Sequence, residues 1–449
     1  MNYKEKKVIL ILVLAAAILL NVFHYFRLFT TPVMPFYEQY GHLSTIKSGE
    51  ILQESPYLLD AILSYSNNYV FFMQILPYIT GLVNIFLLYL ISKRIMQKPT
   101  QRIFTLAILI ASPVFLYLYG SYNSVFLPLF FILLSILVIL RGNYLLALFG
   151  LIFTFILNQK LFFAIAILLI VIFEKTKSKK AIYSFFSILT VTGFFILTNN
   201  LVYNINFYYF LTNYLSDLGA IVGIGLFGFV LSLVGIIISW KEKSENSIIY
   251  IALIAFIIFS IYDPSYIIFV DIIVSYYAGI ALYNIINRKW STKTLGNYII
   301  LLILCGLIFS SGAYIKKVSE IGPSEGEVRS LEWLIQYNKS FKVLSHYKYG
   351  SLIKGVSGFE PYVDESYFLY SKDKVRITSV DNIFQSRDSV LIRSFLAKNY
   401  IRYIWINQPM TNGEVWTKDD EGMLLVLNTE KAFRRIYDFN RVQIWEYLG

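Results

Sequence analysis

A chain in which one apolar run after another is long enough to cross a bilayer has few folds open to it, and this sequence is of that kind. Runs of spanning or near-spanning length lie at about 8–29, 68–92, 103–119, 124–140, 144–158, 161–174, 181–198, 220–240, 248–262, 266–286 and 298–315. Hydrocarbon supplies no water to backbone N–H and C=O groups, so each run is expected to be a helix. The runs at 144–158 and 161–174 are short and separated only by Gln159 and Lys160, so a re-entrant or tilted pair is the alternative there. Composition agrees with a multi-pass membrane protein: 57% hydrophobic residues, 15% charged and a mean hydropathy of +0.60 are far from a soluble average.

The first run is followed by no small-residue cleavage site, and Asn21, His24 and Arg27 near its end are unlike a signal peptide's core. It is expected to stay as the first helix. The single cysteine, Cys305, excludes an intramolecular disulfide and a cysteine-based zinc site. Aromatic residues make up 18%, suited to interfacial belts and to an outer surface that meets lipid and sugar.

A net charge of +11 invites a nucleic-acid reading, which the distribution excludes. Up to Tyr314 there are 20 Lys/Arg against 11 Asp/Glu; from Ile315 onward there are 19 against 17. Of the 20, 17 fall in alternate connections: Lys4, Lys6 and Lys7; Lys93, Arg94, Lys98 and Arg102; Arg141; Lys175, Lys177, Lys179 and Lys180; Lys241 and Lys243; Arg288, Lys289 and Lys293. This is the positive-inside pattern, and with about 11 crossings it puts the N-terminus in the cytoplasm and the C-terminus outside.

From Ser324 hydropathy falls and helical and strand patterns alternate. Helices are expected over Glu325–Tyr337, Arg387–Lys398 and Trp416–Leu427, and strands over Lys342–Ser345, Ile401–Ile406, Phe433–Tyr437 and Val442–Tyr447. The expected organisation is a polytopic transmembrane domain over 1–315 and a C-terminal extracytoplasmic α/β domain over 316–449. Asn338-Lys339-Ser340 is a glycosylation sequon in the latter. The aromatic stretch Asn199–Gly219 is expected along the outer interface.

Directly after the first run comes Pro35-Phe36-Tyr37-Glu38-Gln39-Tyr40-Gly41-His42-Leu43, with Ser48-Gly49-Glu50 and Ser55-Pro56-Tyr57-Leu58-Leu59-Asp60 beyond it. Four acids thus share one short outer loop. A carboxylate at the lip of a membrane crossing can ligate a hard divalent metal or take a proton from an attacking hydroxyl. The bland reading is a solvated loop.

The order acid, one residue, Tyr, one residue, His-Leu, then a short helix and a Gly-acid turn, resembles the first outer-loop motif of the GT-C superfamily of membrane glycosyltransferases. That resemblance implies a GT-C-like fold and makes Glu38 the catalytic base or a ligand of a divalent cation, Mg or Mn, with Tyr40 and His42 as substrate-binding neighbours. The family usually has Asp where this chain has Glu38.

Tyr119-Gly120-Ser121-Tyr122-Asn123-Ser124, ahead of a long apolar run, looks like the family's second outer loop and adds Tyr122 and Asn123. Asn123 stands where oligosaccharyltransferases carry an acid, which puts metal dependence in doubt. Lys160 and Arg27, basic residues expected on the outer side, are candidates to stabilise charge on a lipid-phosphate leaving group; their alternative is snorkelling to the interface. Asp271, a carboxylate inside the tenth run, is a site candidate by default, whereas Asp263 before Pro264 reads as a turn cap. In the tail, Val343-Leu344-Ser345-His346-Tyr347-Lys348-Tyr349-Gly350 has the order of the oligosaccharyltransferase strand and its Trp-Trp-Asp-Tyr-Gly motif. Only Tyr349 and Gly350 match that motif itself, so sequon recognition does not carry over; His346 and Tyr347 remain as acceptor-contact candidates.

The function these readings imply is transfer of a sugar from a polyprenyl-phosphate-linked donor to a protein, glycan or lipid acceptor at the outer face of the cell membrane. Two rival readings stay open: a non-catalytic GT-C-like protein that binds a glycolipid or partner, and a transporter or flippase for lipid-linked sugar. A transporter should show intramembrane charge pairs or broken helices in repeated halves, and the sequence shows no repeat.

Overall fold

The computed structural model describes the chain except for residues 1–2, 31–33, 35, 49–57, 159–160, 177–213, 291, 365–373 and 419. It divides into two compact units. The first comprises Met1–Arg27, Gln53–Leu59 and Asn68–Glu320; the second comprises Leu28–Leu52, Asp60–Asn67 and Ile321–Gly449.

The first unit is helical. Its elements are α1 (Tyr3–Thr30), then α4 (Tyr69–Ile95), α5 (Pro99–Ile110), α6 (Pro113–Gly120), α7 (Phe126–Leu140), α8 (Tyr144–Leu157), α9 (Phe162–Thr176), α10 (Leu226–Ser239), α11 (Lys243–Tyr262), α12 (Ile267–Asn287) and α13 (Lys293–Ile321). The short helices α2 (Tyr37–Ser48) and α3 (Leu58–Ser64) intervene after α1. Among the described residues four helical stretches are long and apolar enough to cross a membrane: Glu5–Phe26, Tyr69–Ile95, Pro264–Asn287 and Thr294–Val318. Outward-facing Leu10, Leu14, Ile18, Leu302, Ile308 and Phe309 are exposed, a surface at home in lipid and a liability in water.

The run expected as one span at 103–119 is instead two helices, α5 and α6, bent by 62° at their junction. Proline at position 113 has no N–H to offer the ladder and pushes Ser112 to an extended conformation, φ −72° and ψ 137°. The Ser112 hydroxyl then accepts from the Val114 N–H at 3.2 Å and starts a fresh helix. The expected run at 181–198 lies outside the described residues, as does the expected interfacial stretch up to residue 213.

Glycines set the helix spacing where backbones nearly touch. Gly235 on α10 faces the Tyr277 carbonyl of α12, and Gly279 on α12 faces Thr105 of α5; a Cβ at either would collide. Ile108, Leu231, Ala278, Ala281, Leu282 and Ile303 form the core between these helices.

The second unit contains a four-stranded sheet made of β1 (Lys342–Leu344), β2 (Ile401–Ile406), β3 (Phe433–Phe439) and β4 (Val442–Tyr447), in the order β1-β2-β4-β3. β1 runs parallel to β2; the other pairings are antiparallel. Asn440 and Arg441, at φ 52° and 61°, make the tight turn between β3 and β4. Around the sheet lie α14 (Glu325–Leu334), α15 (Gly350–Ser357), α16 (Lys374–Gln385), α17 (Ser389–Lys398) and α18 (Gly422–Thr429). The buried indole of Trp405 donates to the Ser330 hydroxyl of α14 at 2.9 Å, tying helix to sheet. The helix expected over Trp416–Leu427 begins only at Gly422, whose φ of 50° and closeness to the Phe384 carbonyl, which a Cβ would strike, suit glycine.

Candidate functional site

The segment after α1 expected as an outer loop is a helix, α2, and it belongs to the second unit. Glu38 sits in its first turn; the Glu38 side chain lies outside the described ones, as do Lys160 and the side chain of Arg27. Three attachments fix α2. The Tyr37 hydroxyl donates to Glu327 Oε2 at 3.4 Å, and its ring meets Tyr349 edge to face at 5.3 Å. Lys47 Nζ donates to the Gly355 carbonyl at 2.7 Å. Gly355 of α15 lies against the Tyr40 carbonyl so closely that a Cβ would overlap it. Tyr40 is fully buried.

His42, one turn after Glu38, is 4% exposed, and its Nδ1 lies 2.7 Å from Oδ2 of Asp60, which is 1% exposed. Asp60 enters from α3, 18 residues away in sequence. Sequence reading counts it as one of four loop acids; its pairing is visible only once the segments are folded together.

Tyr347 and Tyr349 occupy one short turn before α15, and Gly350 is required there because a Cβ would strike Asp364 and the Val363 carbonyl. The Tyr349 hydroxyl donates to Glu414 Oε2 at 2.5 Å and Lys348 Nζ donates to Glu414 Oε1 at 2.5 Å. Burial pushes the Glu414 carboxyl up, but these two donors outweigh it and hold the group below the ordinary glutamate range. His346 Nδ1 is 3.9 Å from Glu414 Oε1. Burial, opposed by Glu414 and assisted by Lys348, brings the His346 imidazole down to about 4, so it is neutral at physiological pH. The His346 and Tyr347 rings lie 4.3 Å apart.

Glu327 joins the two clusters. It closes the capping box of α14, with its carboxylate accepting from the Ser324 N–H at 2.6 Å, from Asn407 Nδ2 at 2.5 Å and from Tyr37. Burial nonetheless raises its carboxyl above the usual range. Sequence reasoning missed Glu327 and Glu414; Ser324-x-x-Glu327 before an apolar helix face was the available signal for the first, and nothing local marks the second.

In the first unit, Asn123 sits at the break before α7 and its side chain is used by the turn itself. Oδ1 accepts from the Val125 and Phe126 N–H groups at 3.0 and 3.2 Å, and Nδ2 donates to the Leu118 and Ser121 carbonyls at 2.9 and 3.0 Å. Tyr122 is buried against Phe126 at 5.6 Å. Asp271 lines a small cavity with Ser112, Pro113, Gly225, Ser275 and Ser310, and among the described residues its Oδ2 has no hydrogen-bond partner. Asp263 caps the turn before α12, as expected, accepting from the Ser265 N–H at 2.8 Å. The structure therefore brings Tyr40, His42, His346 and Tyr347 into the second unit, and Tyr122, Asn123 and Asp271 into the first.

Set beside solved structures, the chain shares its fold with several of them at 12–13% identity. The chain is similar to the archaeal oligosaccharyltransferase AglB from Archaeoglobus fulgidus, solved in complex with an inhibitory peptide and a dolichol-phosphate: TM-score 0.55, 13% identity, 91% of this chain and 70% of that one covered. It is similar to ArnT from Cupriavidus metallidurans bound to undecaprenyl phosphate, with TM-score 0.52, 12% identity and 96% and 97% coverage. The arabinofuranosyltransferase AftD from Mycobacteria gives TM-score 0.54 at 12% identity, with 98% of this chain matching 40% of that one. No family model and no curated protein sequence matches.

Proposed function

We propose that this protein is a membrane glycosyltransferase that moves a sugar from a polyprenyl-phosphate-linked donor to an acceptor on the outer face of the membrane. The observation that carries the reading is the fold shared with AglB, ArnT and AftD over nine-tenths or more of the chain. The motif helix α2 supports it: three attachments to the second unit hold the segment bearing Glu38, and positioned groups are what transfer chemistry requires. In this mechanism Glu38 activates the acceptor hydroxyl, Tyr40 and His42 border it, and His346 and Tyr347 contact the acceptor. Tyr122, Lys160, Arg27 and Asp271 serve the donor side. The N-terminus lies in the cytoplasm and the tail outside.

The family implies a divalent metal, and Glu38 would be the residue to hold it. Among the described residues, which leave out the Glu38 side chain, no three His, Cys, Asp or Glu side chains gather where they could share an ion. Asn123, occupied by its own turn in place of a second acid, favours the non-catalytic reading as the rival.

The deciding assay is sugar transfer from a panel of polyprenyl-phosphate donors by purified protein, with and without Mg, Mn and chelator. Glu38→Gln keeps the size of the side chain and removes its charge. Transfer should fall by roughly 10²–10⁴-fold, as for loss of a positioned base. Equal activity in variant and wild type would sink the role of Glu38, and a wild type inactive across the panel would favour the glycolipid-binding reading.

A further inference from the structure

We propose that the cavity beside Asp271 binds one sodium ion, held by the Asp271 carboxylate and the hydroxyls of Ser112, Ser275 and Ser310; the inference goes beyond the glycosyltransferase reading and does not rest on it. The cavity lies where α5 breaks into α6, against α12 and α13, and its open volume of about 10 Å³ is room for one water-sized occupant. That space admits an ion and no sugar.

Asp271 and Ser275 are each 1% exposed. One turn apart on α12, they share a face of the helix, and among the described residues neither Asp271 Oδ2 nor Ser275 Oγ has a hydrogen-bond partner. Hydroxyls elsewhere in the apolar helices of this unit do find one: Ser232, Ser239 and Ser260 each donate to the carbonyl three residues back.

A carboxylate oxygen without a partner is costly to keep inside a membrane span, and what covers it is a proton or a cation. A proton leaves the defect in place. On Oδ2 it finds no acceptor, and on the other oxygen it leaves Oδ2 and the Ser275 hydroxyl as unpartnered as before. An ion in the cavity reaches both. A water would reach both as well, but it would leave the charge uncovered.

The remaining wall suits a cation. The Ser310 hydroxyl spends its hydrogen on Asp217 Oδ2 at 3.0 Å, and Ser112, which accepts from the Val114 N–H at 3.2 Å, hydrogen-bonds Asp271 itself. Both serines keep lone pairs, the ligands a hard ion takes. No Lys or Arg lines the cavity. Lys317 of α13 lies nearer Asp217, with its ammonium donating to the Ser216 and Ala220 carbonyls at 3.3 and 2.9 Å. One carboxylate among neutral oxygens matches a single positive charge, and the exposed Asp217, reached through Ser310, marks the way in.

The test uses the full-length protein in lipid nanodiscs, exchanged into choline chloride to remove sodium. Radioactive sodium should bind in equimolar amount, and sodium added at constant ionic strength should raise the melting midpoint saturably, whereas potassium and magnesium should not. Asp271→Asn keeps the shape of the side chain and removes its charge, so binding and the shift should both be lost. Ser275→Ala should raise the half-saturating sodium concentration about ten-fold or more. A wild type that binds no sodium saturably, or a shift of equal size with potassium or in Asp271→Asn, overturns the proposal and leaves the cavity to a water or a proton. The wild-type measurement decides alone should Asp271→Asn fail to fold.

Discussion

At the scale of single residues, the second unit holds ionisable groups in states they would not keep in water. His346 is neutral in the fold, with its imidazole at about 4, and has an ordinary value of 6.5 when exposed. Between those values the unfolded chain binds the extra proton, so stability rises with pH across that window and is lost as pH falls from about 6.5 toward 4. Glu414, held low, acts in the same direction because protonating it releases Lys348 and Tyr349. Fluorescence melts of the purified protein, which has buried Trp405 and Trp416 in this unit, should show that acid loss. His346→Gln should flatten it by at most about 3 kcal/mol, from 1.36 kcal/mol per unit; an unchanged pH slope would remove His346 from the account. Little of this was legible beforehand. The order around His346 marks a place in the chain, but its neutrality comes from burial that only the fold supplies, and it holds against the opposing charge of Glu414, 68 positions later.

At the scale of elements, local chemistry was read well where it alone decides. The Ile401–Ile406 strand is legible from its β-branched and aromatic residues, and the strands near Phe433 and Val442 from alternation around a turn. The break between α5 and α6 was written in Ser112-Pro113, yet the surrounding apolar run hides it from hydropathy. α15 was missed because its sequence, Gly-Ser-Leu-Ile-Lys-Gly-Val-Ser, is a poor helix by propensity. Tertiary contact explains it: glycine at 355 lets α2 sit on it. Gly355→Ala should therefore gain propensity and still lose stability, by about 1–3 kcal/mol for the overpacked contact. Gly312→Ala, where a Cβ meets nothing within 4 Å, is the control and should be neutral or better. Thermal melts and proteolysis within α2 check both, and a Gly355→Ala protein as stable as the control would refute the close contact.

At the scale of the whole molecule, the second unit constrains how the chain threads the membrane. Leu28–Leu52, Asp60–Asn67 and Ile321–Gly449 form one compact body. They must then lie on one side of the bilayer, which demands an even number of crossings between them. An eleven-span chain meets that demand with ten crossings after the first, and the alternating basic connections give the same parity. A reporter fused after Lys180 should be cytoplasmic and one fused after Ser324 external. Finding both on the same side would break this arrangement. The pairing of loop with tail could not be foreseen, because hydropathy describes segments one at a time.

The grip of Lys47 on Gly355 spans 308 residues of sequence. A ribosome adding about 5–20 residues per second needs roughly 15–60 s to cover that interval. Closing a loop of that length also costs about 5 kcal/mol of chain entropy. Through most of that time α2 has none of its tail partners. The attachments of the helix carrying Glu38 and His42 are thus made late, and a chain cut short before Glu327 would leave that helix without any of the three.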